Sequence, residues 1–266
     1  MDFDYGLQLF SKYLHDVDLV ERGVAKFSDF GYSEQRNSRP ICNVFENPKV
    51  GFSPAKIAEI DIRGAMRLEG GISHRGMEDV ARDIEMLEDD VDGIMLNIYS
   101  GGGEILSIGV IENALKDFGK PFVAYGHFMG SAAYWVASGA NEIILSSESA
   151  MAGSIGAYVS LDKFVIDWLK DNYEDIYAES SPDKNKEIRE YMEGNKQPFQ
   201  DKVNLSAEMF RDTIKERRGL ERRSANMEKA LAGGMFMASE AKALGLVDGI
   251  GTKKYAYKRL LFHINN

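Results

Sequence analysis

The sequence predicts an α/β fold whose core is a parallel β-sheet. Short apolar runs that are typical of buried strands occur at residues 57–62, 94–99 and 121–125. Between these runs, residues 77–88 and 104–118 carry apolar side chains at helical spacing. Strands that alternate with helices imply βαβ units, because parallel neighbours can be joined only by a crossover connection.

The other predicted elements lie on either side of this core. Before it, an amphipathic helix is predicted for residues 7–19 and a polar, loop-like stretch for residues 28–48, so we interpret residues 1–52 as an N-terminal arm. After it, helices are predicted at 131–138, 159–169, 201–217 and 238–244, strands at 142–145 and 176–178, and a mobile polar loop at 179–200. The main domain is predicted to span residues 53–252, followed by a tail, residues 253–266.

Composition excludes several classes of function. The 266 residues carry a formal net charge of −10, which argues against a nucleic-acid binder. The basic clusters at 215–218 and 222–223 are interpreted as solvated helix faces. One cysteine forms no intramolecular disulfide, and neither a secretory signal pattern nor a membrane-spanning apolar run is found. We therefore expect a soluble, cytoplasmic protein.

Two stretches carry residues suited to acyl transfer. Ser131 follows the apolar run 121–125 and precedes good helix formers, which places its hydroxyl at a helix N-terminus. Some thirty residues upstream, three consecutive glycines at 101–103 end another apolar run, and their backbone N–H groups can approach a substrate closely. The first stretch offers a nucleophile and the second offers oxyanion donors. In isolation, a Gly-Ser pair is also typical of a helix cap.

A serine nucleophile needs a base, and the sequence leaves its identity open. None of the four histidines is well placed, although His127 precedes Ser131 by four residues. A buried, neutral lysine is the other base used with serine, and Lys184 and Lys186 are the downstream candidates. No spacing typical of a metal site, a P-loop or a dinucleotide-binding loop is present, so no cofactor or metal is expected.

These motifs resemble the signal peptide peptidase A family of serine peptidases, a branch of the ClpP/crotonase-like fold. Residues 100–103, SGGG, resemble the family's Ser-Pro-Gly-Gly, and residues 130–138, GSAAYWVAS, resemble its nucleophile helix. GSIG at 153–156 and ASEAKALGLVD at 238–248 follow in the family's order. The resemblance covers roughly residues 56–252 and implies a core of repeated ββα/βαβ units with an N-terminal arm and C-terminal helices.

The resemblance also implies site residues. The family's Ser-Lys dyad would be Ser131 with Lys184, which lies 53 residues later in SSPDK, and Lys186 is the reserve. The oxyanion hole would be formed by Gly102 or Gly103 with the backbone N–H of Ala132. The sequence departs from the family pattern at Gly101, at Ala132-Ala133 and at Ser181, and the last departure makes the lysine motif the weakest match.

The implied activity is that of a serine endopeptidase that acts on polypeptide substrates. The resemblance favours the phage head-maturation type, which would process capsid and scaffold precursors in the host cytoplasm or prohead. A cellular peptidase that degrades signal peptides is an alternative, as are a crotonase-like acyl-CoA enzyme and an inactive oligomeric assembly module. Relatives with this fold generally form rings, so a homo-oligomer is expected, and a neighbouring subunit could supply the lysine.

Overall fold

The computed structural model describes residues 41–45, 55–71, 75–220 and 224–266. The helix predicted at residues 7–19 lies outside these ranges. The described chain divides into two compact units, one formed by residues 41–156 and 208–266 and the other by residues 157–207. Within the described residues, no helix combines the length and apolar character needed to cross a membrane.

Among the described residues, the first unit is built on one eight-stranded, mostly parallel sheet. Its main path has the order β1-β2-β3-β4-β5-β8, and β6 pairs with β4 and β7. All pairs are parallel except β1 with β2 and β6 with β7. The strands are β1 (Ile41–Phe45), β2 (Ala55–Met66), β3 (Gly93–Gly103), β4 (Phe122–Gly130), β5 (Glu142–Leu145), β6 (Met151–Gly153), β7 (Met235–Met237) and β8 (Gly249–Ile250). The predicted α/β class is therefore confirmed.

Helices cover both faces of this sheet. In β2, Ala58 packs in a core cluster with residues of the helices at 77–86, 105–118 and 132–137. Its neighbour Ile57 packs instead with residues of the helix at 253–264. Adjacent strand residues point to opposite faces, which explains why the strands are apolar almost throughout. The helices of this unit are α1 (Met77–Met86), α2 (Ile105–Phe118), α3 (Ala132–Ala137), α7 (Ser224–Ala230), α8 (Ala238–Ala243) and α9 (Lys253–Ile264).

The second unit is helical in its described part. It contains α4 (Lys163–Asn172), α5 (Lys186–Met192) and the first residues of α6 (Gln197–Arg218). Ile166, Ile188 and Phe199 form a small buried cluster that joins the three helices, with Tyr191 and Met192 packed against it. This cluster is the only apolar core of the unit among the described residues.

Several predicted elements differ from the structure. Residues 41–45 were expected in a loop but pair as an antiparallel edge strand with β2. The strand predicted at 176–178 is absent, because this short run has no neighbouring strand with which to bond. The loop predicted at 179–200 instead contains α5 and the start of α6. The spacing of Ile188, Tyr191 and Met192 places their side chains on one helix face, which explains this helix.

Candidate active site

Ser131 occupies a strained turn between strand β4 and helix α3. Its backbone angles are φ 51° and ψ −125°, a conformation that non-glycine residues rarely adopt. Such strain costs about 1–3 kcal/mol and persists only where the surrounding structure enforces it. Here the Ser131 N–H donates to the Gly153 carbonyl at 2.9 Å, and its carbonyl accepts from the Trp135 N–H at 2.9 Å. The turn therefore holds Ser131 between two regular elements, as nucleophile turns of hydrolases do.

The Ser131 hydroxyl does not cap the helix that follows it. Among the described residues, its side chain accepts no capping hydrogen bond from the first turn of α3. The residue is half-buried, so the hydroxyl is neither sealed in the core nor fully solvated. The capping role that a Gly-Ser pair would suggest is thus wrong for Ser131. Its hydroxyl is not used to cap the helix and can serve as a nucleophile.

Gly102 packs directly against the Ser131 turn. A Cβ atom at Gly102 would lie 2.7 Å from the Ala132 nitrogen, 2.7 Å from Ser131 Cβ and 2.8 Å from the Gly130 carbonyl oxygen. The residue also has φ +96°, which favours glycine. The fold therefore brings the predicted glycine motif and the predicted nucleophile together. The sequence suggests that β3 ends at residue 99, but the strand continues through the glycines to Gly103.

Ser100 fixes the position of Gly102. The buried Ser100 hydroxyl donates to the Gly64 carbonyl at 2.6 Å and accepts from the Gly102 N–H at 3.0 Å. The Gly102 amide therefore already has an acceptor. Sequence reasoning placed Ser100 in the motif but gave it no role, because the bridge depends on Gly64 in the neighbouring strand.

Two other backbone amides are candidate oxyanion donors. Met66 and Gly103 are paired across β2 and β3, and the Met66 carbonyl accepts from the Glu104 N–H at 2.8 Å, which in a parallel pair directs the Gly103 N–H away from β2. Ala132 is the first residue of α3, and the first amides of a helix have no intrahelical acceptor. Gly103 and Ala132 are thus better donor candidates than Gly102.

The motif at residues 238–248 supports helix α3, which follows Ser131. Every residue of α3 is buried, and the Tyr134 hydroxyl donates to the Leu246 carbonyl at 2.7 Å. Burial raises the pKa of Tyr134, so this phenol keeps its proton. Asp248 accepts from the Ile143 N–H at 2.8 Å and pairs with Arg218 at 2.7 Å, which ties the motif to the sheet and to α6.

Two arginines that sequence analysis interpreted as solvated are structural. The Arg218 side chain is only 9% exposed, and besides Asp248 it donates to the Gly245 carbonyl at 3.1 Å. Arg217 pairs with Glu112 at 2.5 Å and also reaches the Trp135 carbonyl of α3 at 3.3 Å. The interpretation of this cluster as a solvated face is therefore wrong for both residues, because their partners come from distant segments.

The two candidate lysines lie in the second unit and have different surroundings. Lys184 is exposed in the turn before α5, where its N–H donates to the Ser181 carbonyl at 3.2 Å. It lines a concavity with Asp175, Ile176, Tyr177, Ala178, Ser181 and Asn185. Lys186 instead pairs with Asp183 at 3.2 Å and lies 4.0 Å from Glu190. Within the described ranges, Lys184 forms no ion pair with a carboxylate, whereas Lys186 does.

The two histidines that the structure describes bond to residues other than Ser131. The Nδ1 atom of His127 lies 2.5 Å from the Ser146 hydroxyl, and His263 bonds to Glu142 at 3.0 Å. In the part of the chain that the structure describes, no group of three or more His, Cys, Asp or Glu residues could hold a metal ion. The dyad of Ser131 with Lys184 stays a prediction.

Comparison with known proteins adds independent findings. The family model described as Peptidase family S49 matches residues 114–264. A putative protease of Methanocaldococcus jannaschii is 26% identical over 178 residues, which cover 65% of this chain and 56% of that protein. Protease 4 of Haemophilus influenzae is 26% identical over 208 residues, which cover 75% of this chain and 33% of that protein. The chain thus spans about half of one relative and a third of the other.

Among solved structures, a mutant of ClpP1 from Listeria monocytogenes is similar to this chain. The TM-score is 0.47 and the sequence identity is 16%, with 74% of this chain and 93% of that chain covered. The family match includes both Ser131 and Lys184, whereas the glycine motif at 100–103 lies before it.

Proposed function

We propose that this chain, which belongs to peptidase family S49, is a serine endopeptidase that uses Ser131 as its nucleophile. The observation that carries the proposal is the strained, uncapped Ser131 beside Gly102. A half-buried hydroxyl at an enforced turn is suited to attack a carbonyl carbon that approaches over the glycine. The names of both protease relatives agree with this activity.

The proposed reaction has two steps. Ser131 Oγ attacks the scissile carbonyl carbon while the neutral amine of Lys184 accepts the hydroxyl proton. The protonated lysine then gives that proton to the leaving amine as the peptide C–N bond breaks, which leaves an acyl-enzyme. Water, deprotonated by the same lysine, attacks the ester and releases the second product with the regenerated serine hydroxyl.

Backbone amides of Gly103 and Ala132 are proposed to bind the tetrahedral oxyanion. The Gly102 N–H is a weaker candidate, since it donates to Ser100. The contribution of Gly102 is instead the close approach that its missing Cβ permits. Loss of one oxyanion donor typically lowers kcat by about 10²–10³-fold. The position of the Gly103 amide at the end of β3 should therefore have a large effect on kcat.

Lys184 is proposed as the base in preference to Lys186. A base must be neutral near the working pH, and nearby carboxylates favour the charged form of a lysine. Lys186 pairs with Asp183 at 3.2 Å, whereas Lys184 has no such partner within the described residues. Lys184 is exposed in the single chain, so the proposal includes its burial in the working enzyme, by substrate or by another subunit.

A homo-oligomer is part of the proposal. In the second unit, Tyr158 is 87% exposed, Phe164 is 76% exposed and Ile176 is 94% exposed. The support for an oligomer is the sequence resemblance, and these three side chains are where we propose that a neighbouring subunit packs. Light scattering after size-exclusion chromatography should give a mass several times that of the chain. A monomer at all concentrations would contradict this part.

Extended polypeptides are the proposed substrates, and capsid and scaffold precursors are the favoured class. This finer proposal is supported by the sequence resemblance alone, and signal peptides are the competing class. Cleavage of a helical scaffold-type precursor but not of free signal peptides would support the first class. The reverse preference would support the second.

The activity is tested with a fluorescently labelled, unfolded polypeptide. Ser131→Ala and Lys184→Ala should each lower kcat by about 10⁴-fold or more, since members of a catalytic unit are lost together. Lys186→Ala and the exposed-serine control Ser147→Ala should remain active. Full activity of Ser131→Ala would refute the nucleophile. Full activity of Lys184→Ala together with an inactive Lys186→Ala would identify Lys186 as the base.

A further inference from the structure

We propose that Arg189 is a positioning residue that holds the turn carrying Lys184, an inference that rests on the proposed function. Arg189 lies in α5, on the helix that begins two residues after Lys184. No family motif quoted above includes it. Its contacts with described residues lie within the second unit and surround the turn on several sides.

Three contacts join Arg189 to the segment around Lys184. Its guanidinium carbon lies 4.7 Å from the centre of the Tyr177 ring, over the ring face. Its Nη2 group donates to the Pro182 carbonyl. Its backbone N–H donates to the Asn185 carbonyl at 3.0 Å. The side chain thus contacts the chain before the turn and within it, whereas the backbone bond to Asn185 is the helical bond that any residue at this position makes.

The turn combines local backbone bonds with one left-handed residue. Asn185 has φ +53°, a conformation that asparagine adopts more readily than most non-glycine residues. Within the turn, the Lys184 N–H donates to the Ser181 carbonyl at 3.2 Å. The Lys184 side chain is exposed and has several rotatable bonds, so only its backbone position can be fixed in advance. Arg189 supplies contacts that fix this backbone.

The burial of Arg189 indicates that its guanidinium group is needed at this position. Its Nε atom is buried and has no hydrogen-bond partner among the described residues. A buried donor without a partner destabilises the fold, and a shorter or neutral side chain would avoid this loss. Only a guanidinium can stack flat on Tyr177 and donate to Pro182 at the same time. A lysine at this position would keep the charge but lose the stacking.

The expected effect falls on kcat rather than on KM. Arg189→Ala should lower kcat by about 10-fold to 100-fold, because a misplacement of about 1 Å in a reacting group costs up to 100-fold. KM should stay within about twofold, since no substrate contact is removed. Arg189→Lys should recover part of the loss, because it can still donate to the Pro182 carbonyl.

The test combines kinetics with hydrogen–deuterium exchange of residues 177–186. Wild type, Arg189→Ala and Arg189→Lys are compared with the control Lys170→Ala, which removes a cation that donates to the Met192 carbonyl at 3.3 Å in the same unit. We expect faster exchange in this segment and a lower kcat for Arg189→Ala, with neither change for the control.

Two results would overturn the inference while leaving the proposed function intact. One is unchanged exchange in Arg189→Ala, which would show that the turn does not depend on Arg189. The other is faster exchange with an unchanged kcat. Failure of the proposed function is separate, because Lys184→Ala would then retain full kcat in the same assay. That result would also remove the positioning role of Arg189.

Discussion

Replacing Gly102 with alanine should disable the site while the protein stays folded. The new methyl group would lie 2.7 Å from the Ala132 nitrogen and 2.8 Å from the Gly130 carbonyl oxygen. Favourable carbon contacts begin at about 3.5 Å, so the strand end and the Ser131 turn must separate by about 0.8 Å. Both neighbours are backbone atoms, which cannot rotate away as a side-chain tip can.

The size of the effect follows from this displacement. A shift of about 1 Å in a reacting group can cost about 100-fold, so we expect kcat/KM to fall by about 10-fold to 100-fold. An alanine at φ +96° adds strain of about 1–3 kcal/mol. In a protein of this size, that strain corresponds to a decrease of several degrees in Tm.

The assay measures peptide hydrolysis, the rate of fluorophosphonate labelling and thermal unfolding by circular dichroism. Gly109→Ala is the matched control, because a Cβ at this exposed position in α2 meets no atom within 4 Å. It should gain about 0.5–1 kcal/mol in stability and keep its activity. Wild-type labelling and wild-type stability in Gly102→Ala would refute the close approach of Gly102 to Ser131.

Two further predictions concern the support of the site. Tyr134→Phe leaves the buried Leu246 carbonyl without its donor, so the free energy of unfolding should fall by about 1–3 kcal/mol in chemical denaturation; an unchanged value would contradict the role of this bond. Burial opposes ionisation of Glu142, but hydrogen bonds from Arg259 and His263 outweigh it and lower its pKa below 4.5. A lowered pKa stabilises the fold above pH 4.5, and this contribution is lost as the pH falls through the folded-state pKa. Glu142→Gln should therefore be about 1 kcal/mol less stable than wild type at neutral pH but equal to it in acid; a difference that persists in acid would contradict this assignment.

The sequence predicted the elements whose signal is local. The apolar run before Ser131 and the helix formers after it predicted a strand, a turn and a helix, and β4 and α3 confirm them. The helix predicted at 104–118 begins one residue later, at Ile105. These elements follow from periodicity and from small residues at the turn, which act over a few positions.

Features that depend on distant partners could not be predicted. The role of Ser100 needs the Gly64 carbonyl, which lies 36 positions away in the chain. Arg218 was interpreted as solvated because its partner Asp248 lies 30 positions away. In the same way, the φ of +51° at Ser131 is enforced by Gly153, which belongs to another strand. Tertiary contacts decide such positions.

Covalent labelling tests the central claim most directly. The protein is incubated with a fluorophosphonate, and its intact mass and its peptides are then measured beside Ser131→Ala and Lys184→Ala. We predict one added phosphonyl group, located on Ser131, in the wild type and none in Ser131→Ala, with labelling strongly slowed in Lys184→Ala. Equal labelling of Ser131→Ala, or a wild type that is labelled elsewhere, would contradict the assignment of Ser131 as the nucleophile.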